Sequence, residues 1–184
     1  MKNGMKNLTV LFALFIASTL GANAQKVVGG SAMFPTKTIV ENAANSKYHT
    51  TLVAAVKEAD LADDLMAAGP YTVFAPDNMA FGKLPDGTID KLMKPSNKKD
   101  LSNILTYHVV AGEYTSADLL AMIKKGKGRA YLKTLEGGTL TFKLKTATDI
   151  MVQDEKGIVA EITIPDIKQS NGIIHSIDTV MMPM

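Results

Sequence analysis

Apolar positions in the first half of the chain recur at helical spacing. In "YHTTLVAAVKEA", residues 48–59, Tyr48, Leu52, Val56 and Ala59 fall four, four and three apart, on one face of a helix. Helical pattern starts near Thr38. A second short helix is read over "LADDLMAAG", stopped by Gly69 with Pro70 behind it. Leu101, Ile104, Leu105 and His108 then stand at i, i+3, i+4 and i+7, so His108 extends an apolar stripe at the end of its helix. Tyr107 lies off that stripe.

Elsewhere the period is two. "YTVFA", residues 71–75, is β-branched and aromatic and reads as a buried strand ended by Pro76. Asp77 is placed to cap the next helix, because a carboxylate there accepts free N–H groups of the first turn. Pro85-Asp86-Gly87 is a turn. Val109 and Val110 start a short strand before a turn at Gly112. In "GGTLTFKLK", Leu140, Phe142 and Leu144 alternate with Thr141, Lys143 and Lys145, the pattern of a half-buried strand. "IMVQ", the turn "DEKG" and "IVAEITI" form a hairpin, and "NGIIHSIDTVMMP" adds a last strand after an Asn-Gly turn. Helices come mainly first and strands mainly last, so the fold class is α+β.

The first 24 residues are set aside from this reading. Lys2 and Lys6 precede an apolar run from Leu8 to Leu20, and Ala22-Asn23-Ala24 is a small-x-small cleavage site. This is the form of a signal peptide cut after Ala24. Its 13 residues fall short of the ~20 that a membrane-spanning helix needs. Residues 25–35 read as a flexible leader and 36–183 as one domain. No C-terminal anchor or sorting signal is read, so the expected location is the periplasm or the medium.

Of the 20 basic residues two lie in the signal segment, which leaves 18 against 18 acidic ones. A neutral chain lacks the positive field of a general nucleic-acid or membrane-surface binder. The chain has no cysteine. That excludes a thiol nucleophile, a cysteine-zinc site and lipidation at an N-terminal cysteine.

Candidate chemistry is sparse. His108 and His175 both sit in apolar blocks, and no His-x-His or His-x3-His spacing supports a metal site. Buried, hydrogen-bonded imidazoles are the expectation for both. His49 is expected on the surface of its helix. No catalytic motif stands out, so no catalytic residue, cofactor or metal is assigned. "KKGKGR", residues 124–129, lacks P-loop spacing. With Lys133 it makes a basic patch, read as a solvated charged loop. Asp166 follows Pro165 in an expected loop, either as turn chemistry or as an exposed acidic recognition residue.

Three blocks carry a resemblance. "YTVFAPDNMAF" resembles the first signature block of fasciclin (FAS1) domains, TVFAPTNxAF. "ILTYHVVAG" resembles that family's Tyr-His block, and "SNGIIHSIDTVMMP" its second signature block, NGVIHVIDxVLLP. They stand in the family's order over residues 36–183, and the leader and short single domain look like the secreted bacterial type. The resemblance implies a wedge of about seven strands flanked by helices, with the signature blocks side by side at the centre. It implies packing and buried hydrogen bonding for His108, Asn171, Gly172 and His175, with Asp77 as a helix cap.

The family is known chiefly for adhesion. In animal matrix members, integrin recognition is placed at the Tyr-His block, here Tyr107 and His108, and at a Pro-Asp-Ile segment, here Pro165, Asp166 and Ile167. This chain departs with Ile164 where those members have an acid and with Lys168 after the isoleucine. The implied function is an exported, non-enzymatic module for a protein or glycan partner on a surface or matrix. Some fasciclin-like proteins bind carotenoids, so a carrier of a small apolar ligand such as a carotenoid or lipid is the alternative.

Overall fold

The computed structural model describes residues 26–184. The expected signal peptide and cleavage site, residues 1–24, lie outside the described residues. Nine strands and seven α-helices follow in chain order. They are β1 (Val27–Val28), β2 (Ser31–Ala32), α1 (Ile39–Ala43), α2 (Thr50–Glu58), α3 (Ala62–Met66), β3 (Tyr71–Pro76), α4 (Asn78–Gly82), α5 (Thr88–Leu92), α6 (Lys98–Tyr107), β4 (Val109–Ala111), α7 (Ser116–Lys125), β5 (Ala130–Lys133), β6 (Thr139–Leu144), β7 (Ile150–Gln153), β8 (Val159–Gln169) and β9 (Gly172–Ile177).

Seven strands form one sheet in the order β4-β3-β9-β8-β7-β6-β5. Only β3 and β9 run parallel in it. The Leu135 N–H donates to the Val109 carbonyl at 2.8 Å, and Val110 bridges Thr134. The sheet therefore curls until its two ends nearly meet, which leaves little unpaired edge.

Two cores result. Val73, Ala75 and Ile174 face α1, α2, α3 and α6, packing with Ile39, Leu52, Leu65, Leu101 and Leu105. Phe74, Phe142, Val152 and Ile177 face the curled interior with Leu119 and Ile123 of α7. β3 is buried on both faces, which is why its sequence is a continuous apolar run rather than an alternation.

Several expectations need correction. Residues 26–35 are not a loose leader. Gly29 and Gly30, both at positive φ, turn a hairpin whose Val28 is buried, as is Met33 just after it. α3 stops at Met66, three residues before Gly69. Tyr48 lies outside α2 and is exposed. Two helices were unread. α5 starts directly after Gly87. α7 is capped by Thr115, whose hydroxyl accepts from the Asp118 N–H while Asp118 accepts from the Thr115 N–H. That Thr-x-x-Asp box, with Leu119 and Ile123 at i and i+4, was the available signal.

Candidate functional site

α6 ends on adjacent residues that enter different cores. The Tyr107 ring lies in the curled interior, where its hydroxyl donates to the Thr139 carbonyl at 3.2 Å and accepts from the Glu155 N–H at 3.1 Å. Burial raises its pKa to about 12. His108 turns to the other side. Its Nδ1–H donates to the Ile104 carbonyl at 2.8 Å, and its Nε2 accepts from the Met181 N–H at 3.0 Å. A carbonyl can only accept and an amide can only donate, so the ring is the neutral Nδ1–H tautomer. Burial lowers its pKa to about 4.

His175 sits opposite Phe74 across the parallel β3–β9 pair, ring on ring at 5.5 Å. Its Nε2–H donates to the Tyr114 carbonyl at 2.8 Å and its Nδ1 accepts from the Asp166 N–H at 3.2 Å. Burial lowers its pKa as well. His108 and His175 share no partner and do not form a pair. His49 is buried, against expectation. It occupies the residue before α2 rather than the helix surface, with Nδ1 bonded to the Ser46 hydroxyl and Nε2 to the Ser176 hydroxyl, both at 3.0 Å. Burial lowers its pKa. Its polar neighbours "NSKYHTT" pointed outward, and the Ser176 hydroxyl brought by β9 satisfies the ring nitrogen that the local Ser46 leaves over.

Pro165 and Asp166 are not in a loop. They lie within β8, at a register shift between Ile164 and Ile167 against β9. Asp166 has φ 56° there, a conformation that aspartate tolerates better than most residues. Its carboxylate accepts from the Ser116 N–H at 2.7 Å and from the Ser116 hydroxyl. Lys26 donates to the Pro165 carbonyl. Asp166 is thus a clasp between the β8 bulge and the start of α7. Ile167 is 2% exposed, His108 2% and Tyr107 0%. Those three side chains offer a partner no surface in this conformation.

Asn171 is a second clasp. Its side-chain oxygen accepts from the Ile39 N–H at 3.0 Å. Its amide donates to the Leu65 carbonyl at 2.8 Å and the Ala67 carbonyl at 3.1 Å. One side chain thereby ties α1 and α3 to the sheet. Asp77 caps α4 as read from sequence, accepting from the Ala80 N–H at 2.7 Å. Among the described residues, every buried side-chain nitrogen and oxygen has a hydrogen-bond partner, and no group of three or more His, Asp or Glu is arranged to hold a metal ion.

An open recess of about 350 Å³ lies beside the Tyr-His block, lined by Leu61, Asp64, Ala67, Tyr71, Thr106 and Leu135 among others. Leu65, Leu105 and Val109 also border a tighter apolar cleft of about 40 Å³ between α1, α2 and β3. No helix among the described residues is long and apolar enough to cross a membrane.

Comparison with known proteins places these features. The family model described as Fasciclin domain matches residues 47–183. Protein sll1483 of Synechocystis is 46% identical over 157 residues, covering 85% of this chain and 79% of that protein. The cell surface glycolipoprotein MPB83 of Mycobacterium bovis is 35% identical, covering 85% of this chain and 64% of that one. The transforming growth factor-beta-induced protein ig-h3 of Sus scrofa is 37% identical over 81% of this chain, which spans only 20% of its length. In structure, the chain is similar to a FAS1 domain pair from the insect cell adhesion molecule Fasciclin I, with a TM-score of 0.69 at 21% identity, covering 78% of this chain and 50% of that one.

Proposed function

The chain belongs to the fasciclin domain family, and from that membership we propose that it is an exported, non-enzymatic adhesion module whose exposed faces bind a cell-surface, matrix or glycan partner. The observation that carries this reading is the way the reactive side chains are used. All three histidines, Tyr107 and Asp166 are committed to internal hydrogen bonds. An acid–base catalyst must reach its substrate's proton, and these rings face main chain or hydroxyls inside the fold. Relatives bearing adhesion or cell-surface names support the same direction.

The test is saturable binding of the purified protein to fixed cells and matrix preparations of its host. Absence of saturable binding to any of them overturns the reading. Tyr107→Ala and Asp166→Ala separate contact from scaffold. In this reading each loses binding only in step with its loss of thermal stability. A variant that melts like wild type yet does not bind places the contact at that residue.

A second reading is favoured by the recess. At about 350 Å³ it is at the small end of ligand sites. It suits a ring or a short acyl chain, and a long polyene would lie mostly outside it. Native mass spectrometry of protein taken from its own host decides. A bare mass of residues 25–184 supports cleavage after Ala24 and removes the carrier reading; an added apolar mass puts the carrier first.

A further inference from the structure

From residue 26 on the 18 basic and 18 acidic residues cancel, which hides a strong segregation. Residues 119–148 contain seven basic residues and one acid, Glu136. The rest of the chain from residue 26 on holds eleven basic and seventeen acidic ones, so a +6 segment opposes a −6 remainder. The fold gathers this segment. α7 ends in Lys124 and Lys125, and Lys127 and Arg129 lead straight into β5. On β5, Ala130 and Leu132 point into the core while Tyr131 and Lys133 point outward. Tyr131 pairs across to Thr141, and Lys133 to Thr139. Lys143 continues the same face of β6, donating to Gln153 of β7 at 2.5 Å. Salt bridges among the described residues use Lys83, Lys98 and Lys145, so the five cations from Lys124 to Lys133 carry none.

Resting on the reading as a surface-binding module, we propose that this outer face of β5 and β6, with the end of α7, binds an acidic polysaccharide. Charge complementarity sets the sign of the partner. The side chains between the charges set its kind. Tyr131 is 57% exposed at the centre of the face, a flat ring against which a sugar face can lie. Thr139 and Thr141 beside it offer hydroxyls to a hydroxyl-rich polymer. A single-stranded nucleic acid is held by several aromatic rings that stack successive bases, and this strip presents one. An anionic membrane is gripped by an apolar face sunk into the interface, where this strip presents cations and threonines.

The experiment is calorimetric titration of the full mature protein with polygalacturonate, across a range of salt concentrations. Neutral dextran, single-stranded DNA and phosphatidylglycerol vesicles are run beside it. The expected result is binding to polygalacturonate that weakens steeply with salt, with DNA and vesicles weaker and dextran silent. Arg129→Glu with Lys133→Glu lowers affinity about tenfold or more, since each lost ionic contact removes electrostatic binding. Tyr131→Ala weakens binding several-fold and leaves the salt dependence unchanged. Lys94→Glu with Lys99→Glu, exposed positions just before and within the first turn of α6 and outside the basic segment, changes net charge equally and leaves affinity as it was. All these side chains are exposed, and unchanged melting temperatures verify the folds. Equal loss in the Lys94/Lys99 variant, or DNA or vesicles bound as tightly as polygalacturonate, overturns the proposal, as does no binding of polygalacturonate at low salt. If polygalacturonate fails while host cells still bind the protein, this surface falls and the adhesion reading stands.

Discussion

The Asp166 N–H donates to Nδ1 of His175 at 3.2 Å, so the β8 bulge is read directly by a buried ring on the neighbouring strand. The Asp166 carboxylate meanwhile holds Ser116 at the first turn of α7. Three elements meet at one residue whose φ is positive. Asp166→Ala removes the carboxylate and places a less tolerant residue in that conformation, and is expected to cost about 2–3 kcal/mol. Asp166→Asn keeps the backbone preference and one acceptor, and is expected to cost about 1 kcal/mol. Urea unfolding of the two variants checks the order. Equal costs would mean that the carboxylate, not the backbone preference that asparagine retains, is what the site requires.

His108 makes stability depend on pH. Its partners, a carbonyl and an amide N–H, fit only the neutral ring, and its pKa drops to about 4. In the unfolded chain it titrates near 6.5. Between these values the unfolded state binds more protons than the folded one, so unfolding is favoured as pH falls. The contribution of His108 is complete above about pH 6.5 and is lost progressively toward pH 4, about 3 kcal/mol in all. His175 and His49 are shifted the same way. Stability measured by urea at pH 7.5, 6.5, 5.5 and 5.0 should be level at first and then decline. His108→Gln should be less stable at pH 7.5 and should lose less on acidification. A flat profile down to pH 5 in the wild type would refute the neutral-ring assignment.

What could be read in sequence was whatever one element decides alone. The stripe Leu101, Ile104, Leu105, His108 faces one core as its spacing required, and Leu140, Phe142 and Leu144 turn to the interior of the curled sheet. Asp77 caps α4 because capping is local. Tyr107 was legible only as lying off the stripe; it is buried because a second core, built from β6 and β7, closes over the other side of α6. His49 failed for the same reason, since Ser176 arrives from 127 residues away. Pro165-Asp166 reads as a turn in any sequence, and only the register slip against β9 turns it into a bulge inside a strand. The basic segment was visible, but its meaning as one face needed the pairing of β5 with β6.

Asn171 offers a test of a polar clasp without change of size. Its amide donates to two carbonyls, and its oxygen accepts from Ile39. Asn171→Asp keeps the acceptor and sets a second oxygen against the Leu65 and Ala67 carbonyls in a site that is nearly closed to solvent. Two donor bonds are lost and two carbonyls are left unpaired, with an expected cost of about 3 kcal/mol at pH 7. Lowering the pH toward 4 protonates the aspartate and restores one donor, so this variant should lose less stability on acidification than the wild type does. Hydrogen exchange should locate the damage in α1 and α3. Exchange that rises uniformly would instead mean that the clasp serves the whole fold.

Gly172 tests the centre of the domain most directly. It opens β9 at φ 153°, pressed against β3, where Tyr71 and Gly172 are partners in the parallel pair. A Cβ built there would lie 2.0 Å from the Tyr71 carbonyl oxygen and 2.8 Å from the Tyr71 nitrogen. Both obstacles are main chain in the buried sheet, so neither can swing aside as a flexible side chain would. Gly172→Ala therefore forces β3 and β9 apart at their first rung, in addition to placing an alanine in a conformation it rarely adopts. The expected cost is about 4 kcal/mol or more, in the range where a core rearrangement rather than a single contact is involved. Gly87 is the control: it also has positive φ, but a Cβ there meets nothing within 4 Å. Gly87→Ala should cost only about 1 kcal/mol, from conformation alone. Thermal melts of both variants decide between the two causes. If the two glycines cost the same, backbone conformation accounts for Gly172 and the close approach of β3 to β9 does not.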